Sequence, residues 1–435
     1  MCKDRWEDVN YRVDTCALTG AAAFFAGIPD AVLVANGPLW CYFYALRHLE
    51  KTFSDMGRRY YCTQTDGQAV IHGTEGLLRE TLEAVRTQYS PAVMLVENSC
   101  AIGLIGDDTG GIVREAQLSW PTICLDTGGL AGGFGEGYRA AAKAYFARLP
   151  LTKSRVVEPG SVNLLGCTAA YFNGRNDIQE LKRLLTLAGY RVLACPGAGS
   201  RVEDIAGMAA AELNIVVHRE LGGELAELLW NQQGIPYIAP GIPYGLDGSQ
   251  AWLESIRERV IPRESSGNQL NRELSDLRCH LQAVSLELQL LWGEIHFSQT
   301  LVAGPFSAAT GIARALQEEW ADTGALTVVV RESLPCGDMS ILTGDLLDGS
   351  ADGAIVTERL SRLGGGLLMG SSNEKMLLLR RGITEVAYRH ISLPVHDEAL
   401  IGDGPFVGLR GAAVVQEQLW NRYIDLCQGR GISSK

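Results

Sequence analysis

The residues of this sequence best suited to chemistry are its cysteines, of which there are 11 among 435 residues. That is more than core packing needs, and the reducing environment expected for a cytoplasmic chain argues against a disulfide framework, so some of these cysteines are expected to bind metal. No two of them form a C-x-x-C pair, which disfavours zinc ribbons and ferredoxin-type clusters. Any metal centre is therefore predicted to be assembled from distant loops.

Three cysteines lie where a loop or a strand leads into a predicted helix. Cys16 precedes a helix of small residues, Cys41 follows the first predicted strand, and Cys100 follows another strand. Helix N-termini present free N–H groups and a positive dipole end, which lower thiol pKa values and favour the thiolate that iron requires. Because loops at the carboxyl ends of parallel strands converge on one edge of a sheet, Cys41 and Cys100 are expected to meet there.

The elements that must position these cysteines repeat as a short apolar run, a turn with Gly or Pro, and an amphipathic stretch, which is the βα signature. Many such units imply parallel sheets covered by helices. We predict an α/β fold of three Rossmann-like domains with mostly parallel sheets flanked by helices: 1–155 with the candidate cysteines, 156–262 in the middle, and 263–435 at the C-terminus. The last begins with a linker helix from Asn268 to Glu294, and Ala354 to Val356 is predicted as one of its strands.

The segments around Cys16, Cys41 and Cys100 resemble the three cluster-ligand segments of nitrogenase component 1 subunits. The third is the most specific, because the run from Ser99 to Asp108 is similar to that family's cysteine loop ending in Ile-Gly-Asp-Asp. The run from Gly404 to Ala412 is similar to the family's closing segment. The resemblance implies a nitrogenase component 1-like fold, with the three cysteines as iron ligands of an interface iron–sulfur cluster of the 8Fe–7S P-cluster type or the 4Fe–4S type.

Two further residues are additional candidate ligands. Cys124 ends a predicted strand, and His218 stands where the catalytic-cofactor subunit of the family carries a cysteine. A histidine at a strand end is more often a hydrogen-bonded structural residue. His396 has the wrong spacing to the closing segment for the catalytic subunit's histidine, and it is interpreted as structural. The remaining thiols are interpreted as core or surface residues, among them Cys62, Cys167, Cys195, Cys279 and Cys427.

Because no cysteine lies near His218, the resemblance implies the partner, β-like subunit, with the active-site metallocofactor in the other subunit. The chain starts only fifteen residues before Cys16, which is short for a nitrogen-fixing β subunit and favours another relative. The methylthio-alkane reductases, which cleave carbon–sulfur bonds, are the leading choice. A cofactor-assembly scaffold, a nitrogen-fixing β subunit and a tetrapyrrole reductase subunit remain alternatives.

Charge and motifs limit the partners. The net charge of −12 without a Lys/Arg block argues against nucleic acid. Charged residues after Met1 and the lack of a long apolar run predict a cytoplasmic chain without a membrane partner. No Gly-Lys dipeptide occurs, so this chain has no P-loop and ATP must be bound elsewhere. The resemblance implies an ATP-dependent 4Fe–4S iron protein as electron donor and a homologous α-like subunit, in a heterodimer or α2β2 heterotetramer. No acid/base catalytic residue is assigned.

Overall fold

The computed structural model describes residues 15–152, 156–263, 267–331, 344–349 and 353–429. Cys2, Cys336 and the charged start of the chain lie outside the described residues. All strand pairings within the described ranges are parallel, and helices cover the sheets. The α/β fold with parallel sheets flanked by helices is therefore confirmed.

The N-terminal sheet has the strand order β2-β1-β3-β4. Its central strands β1 and β3 are buried along their whole length, as expected for a parallel sheet covered on both faces. The strands are β1 (Ala31–Asn36), β2 (Tyr60–Cys62), β3 (Val93–Asn98) and β4 (Thr122–Asp126). The helices are α1 (Ala17–Ala26), α2 (Leu39–Leu49), α3 (Met56–Arg59), α4 (Gly67–His72), α5 (Glu75–Gln88), α6 (Cys100–Ile105), α7 (Thr109–Glu115) and α8 (Phe134–Arg148), with a 3₁₀ turn at Gly129–Ala131.

The middle sheet has the order β6-β5-β7-β8. Its strands are β5 (Glu158–Leu165), β6 (Arg191–Val192), β7 (Ala211–Val216) and β8 (Tyr237–Ile238). Its helices are α9 (Gly174–Leu187), α10 (Val202–Ala206), α11 (Arg219–Gln233) and α12 (Gly245–Arg257), with a 3₁₀ turn at Gly207–Ala210.

The long helix α13 (Gly267–Trp292) leads to the third sheet, of order β11-β10-β9-β12-β13. The strands are β9 (Gln299–Gly304), β10 (Ala325–Val330), β11 (Asp345–Asp348), β12 (Leu367–Gly370) and β13 (Ala387–His390). The helices are α14 (Phe306–Ala315), which continues as a π turn at Leu316–Trp320, then α15 (Gly353–Ser361), α16 (Ser372–Arg380) and α17 (Gly408–Gly429). Helix α17 packs back on α12 and α9 of the middle segment.

Of two elements predicted for the C-terminal part of the chain, one is confirmed and one is wrong. The linker helix from Asn268 to Glu294 is confirmed, since α13 spans nearly the same residues. The strand predicted from Ala354 to Val356 is wrong, because these residues lie in α15. Val356 and Leu360 are both fully buried, and their spacing of four is helical, so the apolar run is one side of a helix. The three sheets draw on residues 31–126, 158–238 and 299–390, whereas the exact domain bounds stay predictions.

Candidate metal centre

Cys16 is held at the crossing of two helices. It is the residue before α1, and it forms an isolated antiparallel bridge with Gly133, the residue before α8. The helices cross at backbone contact distance, because a Cβ on Gly137 would stand 1.8 Å from the carbonyl oxygen of Ala17 and one on Gly20 would stand 1.9 Å from that of Phe134. The position of Cys16 is thus fixed by a contact that only glycine permits.

Cys41 and Cys100 follow the two central strands of the N-terminal sheet. β1 ends at Asn36, and Cys41 lies in the first turn of α2, where its N–H donates to the carbonyl of Pro38 at 3.1 Å. β3 ends at Asn98, and Cys100 is the first residue of α6. Both thiols therefore lie at the carboxyl edge of the same parallel sheet, as predicted for loops that follow adjacent strands.

The three half-buried cysteines share one neighbourhood. A Cβ on Gly129 would stand 3.5 Å from the Cβ of Cys16 and 3.8 Å from the sulfur of Cys100, so this glycine lies between the two residues. Burial is the largest cause raising the pKa of the Cys41 thiol above its ordinary value, and the nearby thiols of Cys16 and Cys100 raise it further. The structure therefore brings together the three cysteines that the sequence singled out.

The space beside these cysteines fits a multi-iron cluster better than a single ion. In the described ranges no three His, Cys, Asp or Glu side chains are arranged to hold one metal ion. A cluster takes its thiolates on different irons, so its ligands stand further apart than those of one ion. Gly128 keeps the space beside Cys100 open, because a Cβ there would stand 2.7 Å from the sulfur. The hydroxyl of Ser99 is buried without a hydrogen-bond partner, and a bound sulfide would accept a hydrogen bond from it.

Glu97 is a buried carboxyl on the strand that leads to Cys100. It accepts hydrogen bonds from the Tyr60 hydroxyl at 2.6 Å and from the Thr127 hydroxyl at 3.5 Å. Burial raises the pKa of Glu97 to about 8, although the two hydrogen bonds oppose the shift. The carboxyl is therefore largely protonated at neutral pH and adds little negative charge beside the three thiols.

Replacing Glu97 with glutamine is expected to weaken the dependence of stability on pH. The folded chain keeps this proton at pH values where the unfolded chain has released it, so the stabilisation is complete below about pH 4.5 and is lost as pH rises towards 8. Over this window the slope from this one group is up to about 1.4 kcal/mol per pH unit. Urea unfolding of the metal-free chain between pH 5 and 8 measures it. Glu80→Gln, at an exposed position of α5, is the control, and an equal slope in Glu97→Gln and wild type would refute the prediction.

Exposed apolar side chains lie on three elements next to the candidate centre, namely α2, α6 and the 3₁₀ turn at Gly129–Ala131. Trp40, next to Cys41 on α2, is 67% exposed, and Leu104 on α6 is 76% exposed. Leu130, in the 3₁₀ turn after Gly128, is 77% exposed. Large exposed apolar groups clustered in this way are typical of a protein–protein interface. Leu39, Phe43 and Tyr44 extend this apolar rim along α2.

Cys124 lies on the other side of the sheet. Its side chain packs with the cluster of Val32, Val34 and Val96, whereas Cys16 and Cys41 pack against the opposite apolar layer. Burial raises the pKa of Cys124 to about 11, so its thiol stays protonated. The structure does not bring Cys124 together with the three cysteines.

His218 lies in the middle segment, at the N-cap of α11, and not beside the cysteines. Its ring packs against Tyr171 at 5.0 Å between centroids, and its Nδ1 stands 3.4 Å from a carboxylate oxygen of the buried Glu220. The cavity that it lines measures about 40 Å³, room for a few water molecules. His396 is exposed, and its backbone N–H donates to the hydroxyl of Ser372 at 2.9 Å. The Nδ1 of His218 is buried without a hydrogen-bond partner within the described residues, so the structural interpretation of the two histidines stays a prediction.

The sequence reasoning missed four residues at this edge of the sheet. Glu97 and Ser99 flank the end of β3, while Cys62 ends β2 and Thr65 follows it. β2 is only three residues long, too short for its periodicity to be recognised. One sequence signal could have identified Cys62: it follows two tyrosines, which favour a strand, and it precedes the turn-forming run Thr-Gln-Thr-Asp.

No helix in the described part of the chain is long and apolar enough to span a bilayer.

Comparison with known proteins places these features in a family. The family model described as "Nitrogenase component 1 type Oxidoreductase" matches residues 16–424. One light-independent protochlorophyllide reductase polypeptide, from Methylocella silvestris, is 28% identical over 338 residues, which cover 74% of this chain and 63% of that protein. The chain thus spans less than two thirds of that relative's length. The nitrogenase iron–molybdenum cofactor biosynthesis protein NifE of Clostridium pasteurianum is 24% identical over 398 residues, covering 86% of this chain and 82% of that protein.

A solved structure titled "Nitrogenase Cp1 at pH 6.5" matches the fold with a TM-score of 0.73. The alignment covers 94% of this chain and 92% of the other, at 16% sequence identity. A likeness at that identity is evidence for the fold alone, and it agrees with the nitrogenase component 1-like architecture that the sequence predicts.

Proposed function

Because this chain belongs to the nitrogenase component 1 type oxidoreductase family, we propose that it is the β-like subunit of a nitrogenase-like reductase and carries electrons through an iron–sulfur cluster at the interface between subunits. Cys16, Cys41 and Cys100 are the proposed iron ligands. The observation that carries the proposal is the meeting of these three half-buried thiols at one sheet edge, inside a rim of exposed apolar side chains.

The cluster, when bound, supplies one-electron transfer at a potential set by its type, its hydrogen bonds and its burial. This chain's own residues hold and shield it. The three thiols give up their protons to become ligands, and iron binding supplies the free energy for this step at Cys41, where burial raises the pKa of the thiol. The buried carboxyl of Glu97 stays neutral near the thiols. The exposed side chains of Trp40 and Leu104 form a surface on which a second subunit can pack and exclude water from the cluster.

The proposed partners follow from what this chain does not carry. Its sequence has no phosphate-binding loop, so electrons are proposed to come from an ATP-dependent 4Fe–4S iron protein. The cavity beside His218 is too small for a multi-iron cofactor, so the active-site metallocofactor is proposed to lie in a homologous α-like subunit. One copy of each chain would form a heterodimer, and two copies of each would form an α2β2 heterotetramer. Reductive carbon–sulfur cleavage of methylthio-alkanes stays a prediction for the substrate.

One observation favours a second candidate, a scaffold for cofactor assembly. The match to the cofactor biosynthesis protein covers 82% of that protein, against 63% for the protochlorophyllide reductase polypeptide. A scaffold would use the same cluster site but would deliver a finished cofactor to another enzyme instead of reducing a substrate itself.

The proposed function is tested by purifying the chain anaerobically with the partner subunit that accompanies it. We expect the EPR spectrum of its cluster to change when the iron protein, a reductant and ATP are added together. No change is expected when ATP is withheld. A complex that contains iron but never accepts electrons in this assay, and that donates a cofactor to an apo-enzyme, would favour the scaffold and overturn the reductase.

A further inference from the structure

A fourth cysteine stands at the edge of the sheet where the candidate ligands meet. Cys62 ends β2, which pairs in parallel with β1 through Ala35 and Cys62. Its sulfur lies 3.6 Å from the carbonyl oxygen of Gly37, in the loop that leads to Cys41. Burial raises the pKa of the Cys62 thiol, and the thiol of Cys41 is near enough to raise it further. Cys62 therefore borders the same space as Cys41.

The backbone after Cys62 already offers its sulfur a hydrogen bond. The N–H of Gln64 donates to the sulfur at 3.3 Å. Gln64 holds a φ of 54°, in the left-handed region that residues other than glycine seldom adopt. N–H donors aimed at sulfur stabilise thiolates, and they tune the potential of iron–sulfur clusters.

Two buried hydroxyls without hydrogen-bond partners are independent evidence that this space binds a group. Ser99 is 2% exposed and Thr65 is 6% exposed, and neither hydroxyl has a hydrogen-bond partner. Both flank Gly37: the N–H of Thr65 donates to its carbonyl at 3.0 Å, and a Cβ on Gly37 would stand 2.3 Å from the Ser99 hydroxyl. Buried hydroxyls without a partner are rare because each costs about 1–3 kcal/mol. A group with acceptor atoms between Cys41, Cys62 and Cys100 would satisfy them.

The other described cysteines are placed elsewhere. Cys124 packs in the opposite layer. Cys167 and Cys195 are buried together in the middle segment, where they belong to one apolar cluster. Cys279 is exposed on α13, and Cys427 is buried on α17. Within the described ranges, Cys62 alone joins the three candidate ligands.

We propose that Cys62 is a fourth thiolate ligand, so that this chain alone supplies the four cysteines that a 4Fe–4S cluster takes. The inference rests on the proposed function and goes beyond it, because it assigns the whole ligand set to one subunit. The partner then covers the cluster without holding it. Four thiols release four protons as they bind iron, and no electron is gained or lost in that exchange.

The test uses the full-length chain, prepared anaerobically and loaded with ferrous iron and sulfide. Iodoacetamide is applied before and after loading, and the alkylated peptides are mapped by mass spectrometry. We expect Cys62 to be labelled in the metal-free chain and protected in the loaded one, together with Cys16, Cys41 and Cys100. Cys279 is exposed and should be labelled in both. Labelling of Cys62 in the loaded chain would overturn the inference.

A variant provides the second measurement. Cys62→Ala is expected to lose iron to a chelator about tenfold faster than wild type, whereas the matched control Cys124→Ala, at another half-buried thiol of the same sheet, keeps the wild-type rate. Equal rates in Cys62→Ala and wild type, with iron still lost from Cys100→Ala, would reject the fourth ligand and leave the three-cysteine centre standing. A wild-type chain that takes up no iron would reject both. If Cys62→Ala fails to fold, the labelling pattern of the wild-type chain decides.

Discussion

Replacing Gly137 with alanine is expected to lower the free energy of unfolding by about 3 kcal/mol. The new Cβ would stand 1.8 Å from the carbonyl oxygen of Ala17 and 2.5 Å from its carbon. Both are backbone atoms, so the overlap is relieved only if α1 and α8 move apart. That movement opens the apolar core between them, where Phe24 and Tyr138 pack edge to face at 5.3 Å. Urea unfolding of the metal-free chain measures the loss.

The control for Gly137→Ala is Gly76→Ala in α5. A Cβ at Gly76 meets no atom within 4 Å, and alanine favours the helix by up to about 1 kcal/mol over glycine. This variant should therefore unfold at the same urea concentration as wild type or slightly above it. If Gly137→Ala unfolds at the same urea concentration as wild type, then α1 and α8 do not cross as closely as in the structure.

Replacing Gly128 with alanine is expected to reduce the iron bound per chain about tenfold and to leave the fold intact. A Cβ there would stand 2.4 Å from the backbone nitrogen of Cys100 and 2.7 Å from its sulfur, so Cys100 must shift from its position beside Cys16. Unlike Gly137, Gly128 lies in a loop, where the chain shifts at small cost to the core. Iron analysis and far-UV circular dichroism, on the same anaerobic preparation, separate the two effects.

Gly103→Ala on α6 is the matched control for Gly128→Ala. It adds a methyl group three residues from Cys100, where no atom lies within 4 Å, and it should bind iron as wild type does. Wild-type iron content in Gly128→Ala would mean that the position of Cys100 does not matter for metal binding, which would count against its proposed role as a ligand.

Much of the fold was predictable because its signals are local. Apolar runs bounded by turns identified strands such as β3 and β10, and the Leu- and Glu-rich period identified α13. The expectation that Cys41 and Cys100 meet needed only one general rule, that parallel strands present their following loops on one edge. The families of the curated relatives agree with the resemblance on which the choice of these cysteines rested.

The rest depends on tertiary packing that no local pattern contains. Nothing near Cys16 in the sequence shows that Gly137 lets α8 press against α1 at backbone distance. The burial of Glu97 could not be predicted either, since one acidic residue in an apolar strand is normally interpreted as exposed. Cys62 was interpreted as a core or surface thiol, since the three-residue strand that it ends could not be recognised. Its approach to Gly37 depends on the pairing of β2 with β1.

The most direct test of a shared cluster is the iron content and EPR spectrum of the anaerobically purified complex, compared among wild type, Cys16→Ala, Cys41→Ala and Cys100→Ala. Each single variant is predicted to lose the same signal and most of the iron, because all three thiolates hold one group. Full iron content with an unchanged spectrum in all three variants would contradict a cluster at this edge of the sheet.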